Sequence, residues 1–173
     1  MKILFYTILI LLITSFQVEH KHIIIGDSQT PYIDNQTTKS SRISTKYGIS
    51  SLWRPGINVS WLITSVLSYP TNPNIESVVI CIGTNGAFSK HDNVKKLIEV
   101  IKLKFPNSKL YVVQGSWGWG GNKNVKIDDV KSYYKRFSDL GVVVIKTPIG
   151  CVEPHGNIPI YKVIGKEIDE LIK

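Results

Sequence analysis

Hydrophobic and polar positions along this chain fall into two alternating rhythms. Compact apolar runs occur at Ile23–Ile25, Ser77–Ile82, Leu110–Val113 and Gly141–Ile145. They are rich in β-branched residues, which resist helix and pack well on a pleated surface, so each predicts a buried strand. Between them the apolar residues recur at helical spacing. From Ile57 they fall at Trp61, Leu62, Val66 and Tyr69, and the helix should stop before Pro70. Asp92 to Lys104 carries Val94, Leu97, Ile98 and Ile101 on one side, with Phe105 beyond. A third helix should open at Asp128 or Asp129 and run to about Asp139. A fourth should start near Pro159, with Ile160, Val163, Ile164, Ile168, Leu171 and Ile172 facing inward. Thr30 to Tyr47 is polar and reads as loop, with one short strand near Arg42 to Thr45.

Strands alternating with helices predict βαβ units and therefore an α/β fold, a mostly parallel sheet covered by helices on both faces. Right-handed crossovers then send every strand exit to one edge of the sheet. Ser28, Asn85, Trp117, Trp119 and His155 all lie just past predicted strand ends. They are far apart in sequence, yet this topology gathers their loops.

At 173 residues the chain is the size of one domain with a proper core. Its 43% hydrophobic and 20% charged content rules out global disorder. The start of the chain is different in character. Lys2 precedes an almost wholly apolar run from Ile3 to Ile13, the layout of a secretory signal, too short to span a bilayer comfortably. No small-x-small cleavage site follows. Residues 1–20 therefore read as a signal peptide or an N-terminal membrane anchor, and residues 21–173 as the domain. Both readings place the protein outside the cytoplasm, secreted or membrane-anchored. An extra buried element remains a third option. The net charge of +8 favours anionic surroundings. However, the lysines are scattered over what would be the wet faces of helices, and no basic run interleaves with aromatics, so nucleic acid is not an expected partner.

The chemistry is carried by the turn after the first strand, Gly26-Asp27-Ser28. Gly26 lets the chain turn sharply, and Ser28 then stands at the carboxyl end of a strand, where open α/β sheets place their ligands. A serine hydroxyl needs a base to take its proton, and His155 is the candidate. A developing oxyanion needs donors, which the backbone N–H groups of Ser28 and Gly56 and the amide of Asn85 can supply. Asp27 would anchor the turn by local hydrogen bonds. The plainer alternatives are a polar turn at Gly26–Ser28, a turn at Asn85-Gly86 and an exposed loop histidine.

The order Gly26-Asp27-Ser28, Gly56, Gly83-Thr84-Asn85, His155 resembles the SGNH hydrolases, also called GDSL-type esterases and lipases. The resemblance covers Ile23 to about Gly165. It implies a three-layer α/β/α, flavodoxin-like fold that hydrolyses esters on lipids, glycans or small molecules without metal or cofactor. Ser28 would be nucleophile, Gly56 and Asn85 oxyanion donors, and His155 general base. Two positions depart from that pattern. Val152 stands where the family usually has Asp, three residues before the histidine, and Gly86 stands where it often has Asp. Glu153, two residues before His155, or a backbone carbonyl is left to orient the imidazole.

Trp117 and Trp119 lie among glycines, where flat aromatic faces suit sugar rings or acyl groups; capping of the sheet edge is the alternative. Trp53 and Trp61, near Gly56, either do the same or belong to the core. Cys81 and Cys151 are either buried free thiols or a disulfide, and the histidines show no metal-ligand spacing. The expectation is thus a serine esterase acting on a small-molecule or glycan ester, a carbohydrate deacylase in particular. The rivals are a glycan-binding module that has kept the fold and lost turnover, and an anion-binding protein.

Overall fold

The computed structural model describes residues 21–38, 52–115, 125–147, 155 and 158–172. Their elements run β1 (His22–Gly26), α1 (Thr30–Asp34), α2 (Val59–Ser68), β2 (Ser77–Cys81), α3 (Val94–Lys104), β3 (Lys109–Val113), α4 (Ile127–Ser138), β4 (Val143–Ile145) and α5 (Ile158–Leu171). The four strands form one parallel sheet in the order β1-β2-β3-β4. Asparagine caps begin two of the helices. Asn58 accepts from Trp61 N at 3.0 Å and Asn93 from Lys96 N at 3.1 Å, each satisfying a donor that a helix start leaves free.

Alternation along the strands builds two separate cores. Ile23, Ile25, Val78, Ile80 and Val112 pack with Leu62, Val66, Leu97, Ile101 and Phe137 under α2, α3 and α4. Ile24, Val79, Cys81, Tyr111 and Val113 pack with Ile33, Tyr161, Ile164 and Ile168 under α1 and α5. The fold is therefore α/β/α in three layers, as expected.

A short fourth pairing extends the sheet. Gly26 N donates to Leu52 O at 2.9 Å and Arg54 N to Gly26 O at 3.0 Å, so Trp53 bridges Gly26 in parallel on the side of β1 away from β2. Counting that stub, the order is the flavodoxin-like one, and the sheet reverses direction of winding between β1 and β2. That is where an open α/β sheet opens a crevice at its carboxyl edge.

Two details differ from the sequence reading. Thr30–Asp34 is helix rather than loop, because Pro31 presets the first turn and Ile33 is buried against the sheet. In α5 the inward stripe is Tyr161, Ile164, Ile168 and Ile172, whereas Val163 is 50% exposed; at about 100° per residue, position 163 lies opposite that stripe. Ile160 and Leu171 are half-buried and pack against the same core, as expected. The strand expected near Arg42 to Thr45 lies outside the described residues.

Candidate active site

Gly26 fixes the turn that presents Ser28. Its φ is +133°, and a Cβ there would lie 1.9 Å from the Cys81 carbonyl oxygen. Only glycine fits this close parallel pairing. The chain then folds over the carboxylate of Asp27. Asp27 N donates to Cys81 O at 2.8 Å, Thr30 N donates to Asp27 O at 3.1 Å, and Gln29 N donates to Asp27 Oδ1 at 3.0 Å. Asp27 thus anchors the turn as expected, bracketing Ser28 between its own backbone and the Gln29 amide.

Ser28 is part-buried, and its Oγ lies 2.8 Å from Nε2 of His155. This is hydrogen-bond distance between a hydroxyl and an imidazole. The two groups come from the exit of β1 and the approach to α5, so the meeting is a product of topology. His155 is exposed, and its ring also meets that of Tyr32, centroid to centroid 5.2 Å.

A second tie joins the β1 exit to the β2 exit. Gln29, nearly buried, donates from Nε2 to Thr84 Oγ1 at 3.0 Å. Thr84 precedes Asn85, which is exposed in the turn closed by Ala87 N to Thr84 O and Phe88 N to Gly83 O. Ala87 and Phe88 hold positive φ of 49° and 56°, which costs a non-glycine residue on the order of 1 kcal/mol each. Burial of the Phe88 ring against Tyr133 and Tyr134 opposes that cost. Tyr134 in turn accepts from Gly115 N and donates to Ile82 O, both at 2.8 Å, pinning the β2 and β3 exits together.

Gly56 is exposed with φ +73°, two residues past the Arg54 N–H that bonds Gly26. Trp53 is half-buried beside Gly26. Trp117, Trp119, Glu153 and Cys151 lie outside the described residues, as does the Met1–His20 segment. Cys81 is a buried free thiol, and burial pushes its ionisation well up, which leaves it unreactive. Among the described residues no group of three or more His, Cys, Asp or Glu could hold a metal, and no helix is long and apolar enough to cross a membrane. Sequence reasoning missed Gln29 and Tyr32. No local spacing signals either one, because their partners Thr84, Tyr161 and His155 lie far away in sequence.

Burial raises the Asp27 carboxyl from 3.8 to about 7; its Oδ2 has no hydrogen-bond partner among the described residues. The unfolded carboxylate ionises near the ordinary value while the folded one stays protonated. Stability therefore falls as pH rises from about 4 to about 7, with the penalty complete above that. Asp27→Asn keeps an oxygen for the Gln29 N–H and removes the titration. Its thermal midpoint should exceed that of the wild type at about pH 8, and the gap should shrink at about pH 5. Melts of both proteins across that range check it.

No family model and no curated protein matches the sequence. Solved structures do. A Streptococcus pneumonia protein described in terms of platelet activating factor is 14% identical with TM-score 0.65, over 92% of this chain and 86% of that one. A lipolytic G-D-S-L family member from Veillonella parvula is 15% identical with TM-score 0.53, over 87% and 97%. A family two carbohydrate esterase from Clostridium thermocellum, solved with cellohexaose, is 17% identical with TM-score 0.52, over 90% of this chain and 64% of its own length. A parallel sheet wound in both directions, a serine at the exit of its first strand and these neighbours together give the chain the SGNH hydrolase fold.

Proposed function

We propose that this protein is a serine ester hydrolase working through an acyl-enzyme on Ser28. The observation that carries this reading is the 2.8 Å separation of Ser28 Oγ and His155 Nε2. For Nε2 to accept, the imidazole carries its proton on Nδ1. Ser28 Oγ then attacks the ester carbonyl as its proton passes to His155 Nε2, and the carbonyl π pair moves to oxygen. The backbone N–H groups of Ser28 and Gly56 and the Asn85 amide are the proposed donors to that oxyanion. Collapse of the tetrahedral intermediate breaks the bond to the alcohol oxygen, which leaves with the proton from His155. Water, deprotonated by the same ring, releases the acid and restores the serine.

The substrate we favour is an acyl ester on a carbohydrate, supported by the likeness to a carbohydrate esterase. Trp117, Trp119 and Trp53 are proposed to contact the sugar or acyl group. Glu153 is proposed to orient the imidazole, and the apolar segment at residues 3–13 to direct the domain outside the cytoplasm. A second reading, a glycan-binding module of the same fold, draws on Val152 at the position where the family usually carries its aspartate.

A fluorophosphonate probe separates the two. The wild type should be labelled on one peptide containing Ser28, as read by mass spectrometry, and Ser28→Ala should not be. Glycan binding without labelling or ester hydrolysis would favour the binding module.

A further inference from the structure

Three aromatic rings run in file from the core to the proposed catalytic pair. Tyr161, in the first turn of α5, is fully buried. Tyr32, in α1, stacks on it with centroids 5.3 Å apart and planes 17° from parallel. The ring of His155 also meets Tyr32, centroid to centroid 5.2 Å and tilted by 57°. The backbones behind the rings are also held close. A Cβ on Gly165 of α5 would lie 2.2 Å from Gln36 O, and Thr37 Oγ1 donates to Asp169 Oδ1 of α5 at 2.7 Å. The segment that follows Ser28 is thus fastened to the helix that follows His155.

We infer that Tyr32 is a positioning residue for His155. Its ring, backed by Tyr161, holds the imidazole toward Ser28 and steadies it when it carries the serine's proton. The inference rests on the Ser28–His155 reading above. Its physical basis is the negative face of an aromatic ring, which attracts a cation within about 6 Å of the centroid. The neutral imidazole gains little from such a neighbour and the imidazolium gains more, so the effect falls on the transition state. The Tyr32 hydroxyl makes no hydrogen bond among the described residues, so the ring and not the oxygen is the working part.

Steady-state hydrolysis of a short-chain acyl ester tests this. Tyr32→Phe should keep kcat within about twofold of wild type. Tyr32→Leu should lower kcat about five- to tenfold with KM nearly unchanged. A folded Tyr32→Leu with wild-type kcat, or a loss confined to KM, overturns the inference. Should the leucine variant not fold, phenylalanine at position 32 carrying one to five fluorines preserves the ring's shape while weakening its negative face. Then kcat should fall stepwise with fluorination, and a flat series overturns the inference. A wild type that neither hydrolyses esters nor labels at Ser28 sinks the serine-hydrolase reading and this role with it. An active wild type with an indifferent position 32 sinks this role alone.

Discussion

His155→Ala is expected to slow ester hydrolysis by about 10²- to 10⁴-fold, with KM little altered and the fold intact. The side chain is exposed and near the molecular surface, so its removal leaves no cavity in either core. What goes is the acceptor 2.8 Å from Ser28 Oγ, without which the serine must give its proton to water. Ser28→Ala should cost at least as much, and the double variant little more than either single one, because the two groups act as a unit. Glu153→Gln should cost less than His155→Ala. Initial rates on one acyl ester, with circular dichroism as a folding control, measure all four. Additive losses for Ser28 and His155 would argue against a shared proton transfer.

Gly26→Ala is expected to be the most damaging glycine-to-alanine change among the described residues, destabilising by on the order of 3–5 kcal/mol or preventing folding. The new Cβ would sit 1.9 Å from the Cys81 carbonyl oxygen, a backbone atom, at a φ of +133°. Relief would require β1 and β2 to part where Ile25 pairs with Ile80 and Gly26 with Cys81. The same event would break the Asp27 N to Cys81 O bond and release the turn that holds Ser28. Gly56→Ala is the matched control. Its φ of +73° is also left-handed, but a Cβ there meets nothing within 4 Å, so the cost should be only about 1 kcal/mol. Urea unfolding of the two variants should differ sharply in midpoint.

Much of this was legible in the chain because the relevant signals are local. Three isoleucines before Gly26, the apolar run at Ser77–Ile82 and the stripes of α2 and α3 each announce an element without outside help. The parallel topology then follows from their alternation, and it alone brought Ser28 and His155 to one edge. Tyr32 was not legible. Its meaning lies in contacts with Tyr161 and His155, which no spacing within Thr30–Asp34 encodes. Val163 misled for the opposite reason, being an apolar residue on the wet side of a stripe completed by a tyrosine. The bridge at Trp53 was hidden because one residue pair leaves no periodicity.

The sheet divides the interior into two slabs that, among the described residues, share no side chain. A volume change under α3 must be absorbed by α2, α4 and one set of strand residues; the opposite slab feels it only through backbone. Substitutions across the divide should therefore combine almost independently, so each slab can drift in composition without waiting for the other. That insulation helps account for an architecture still recognisable in chains that share as little as 13% of their residues with this one.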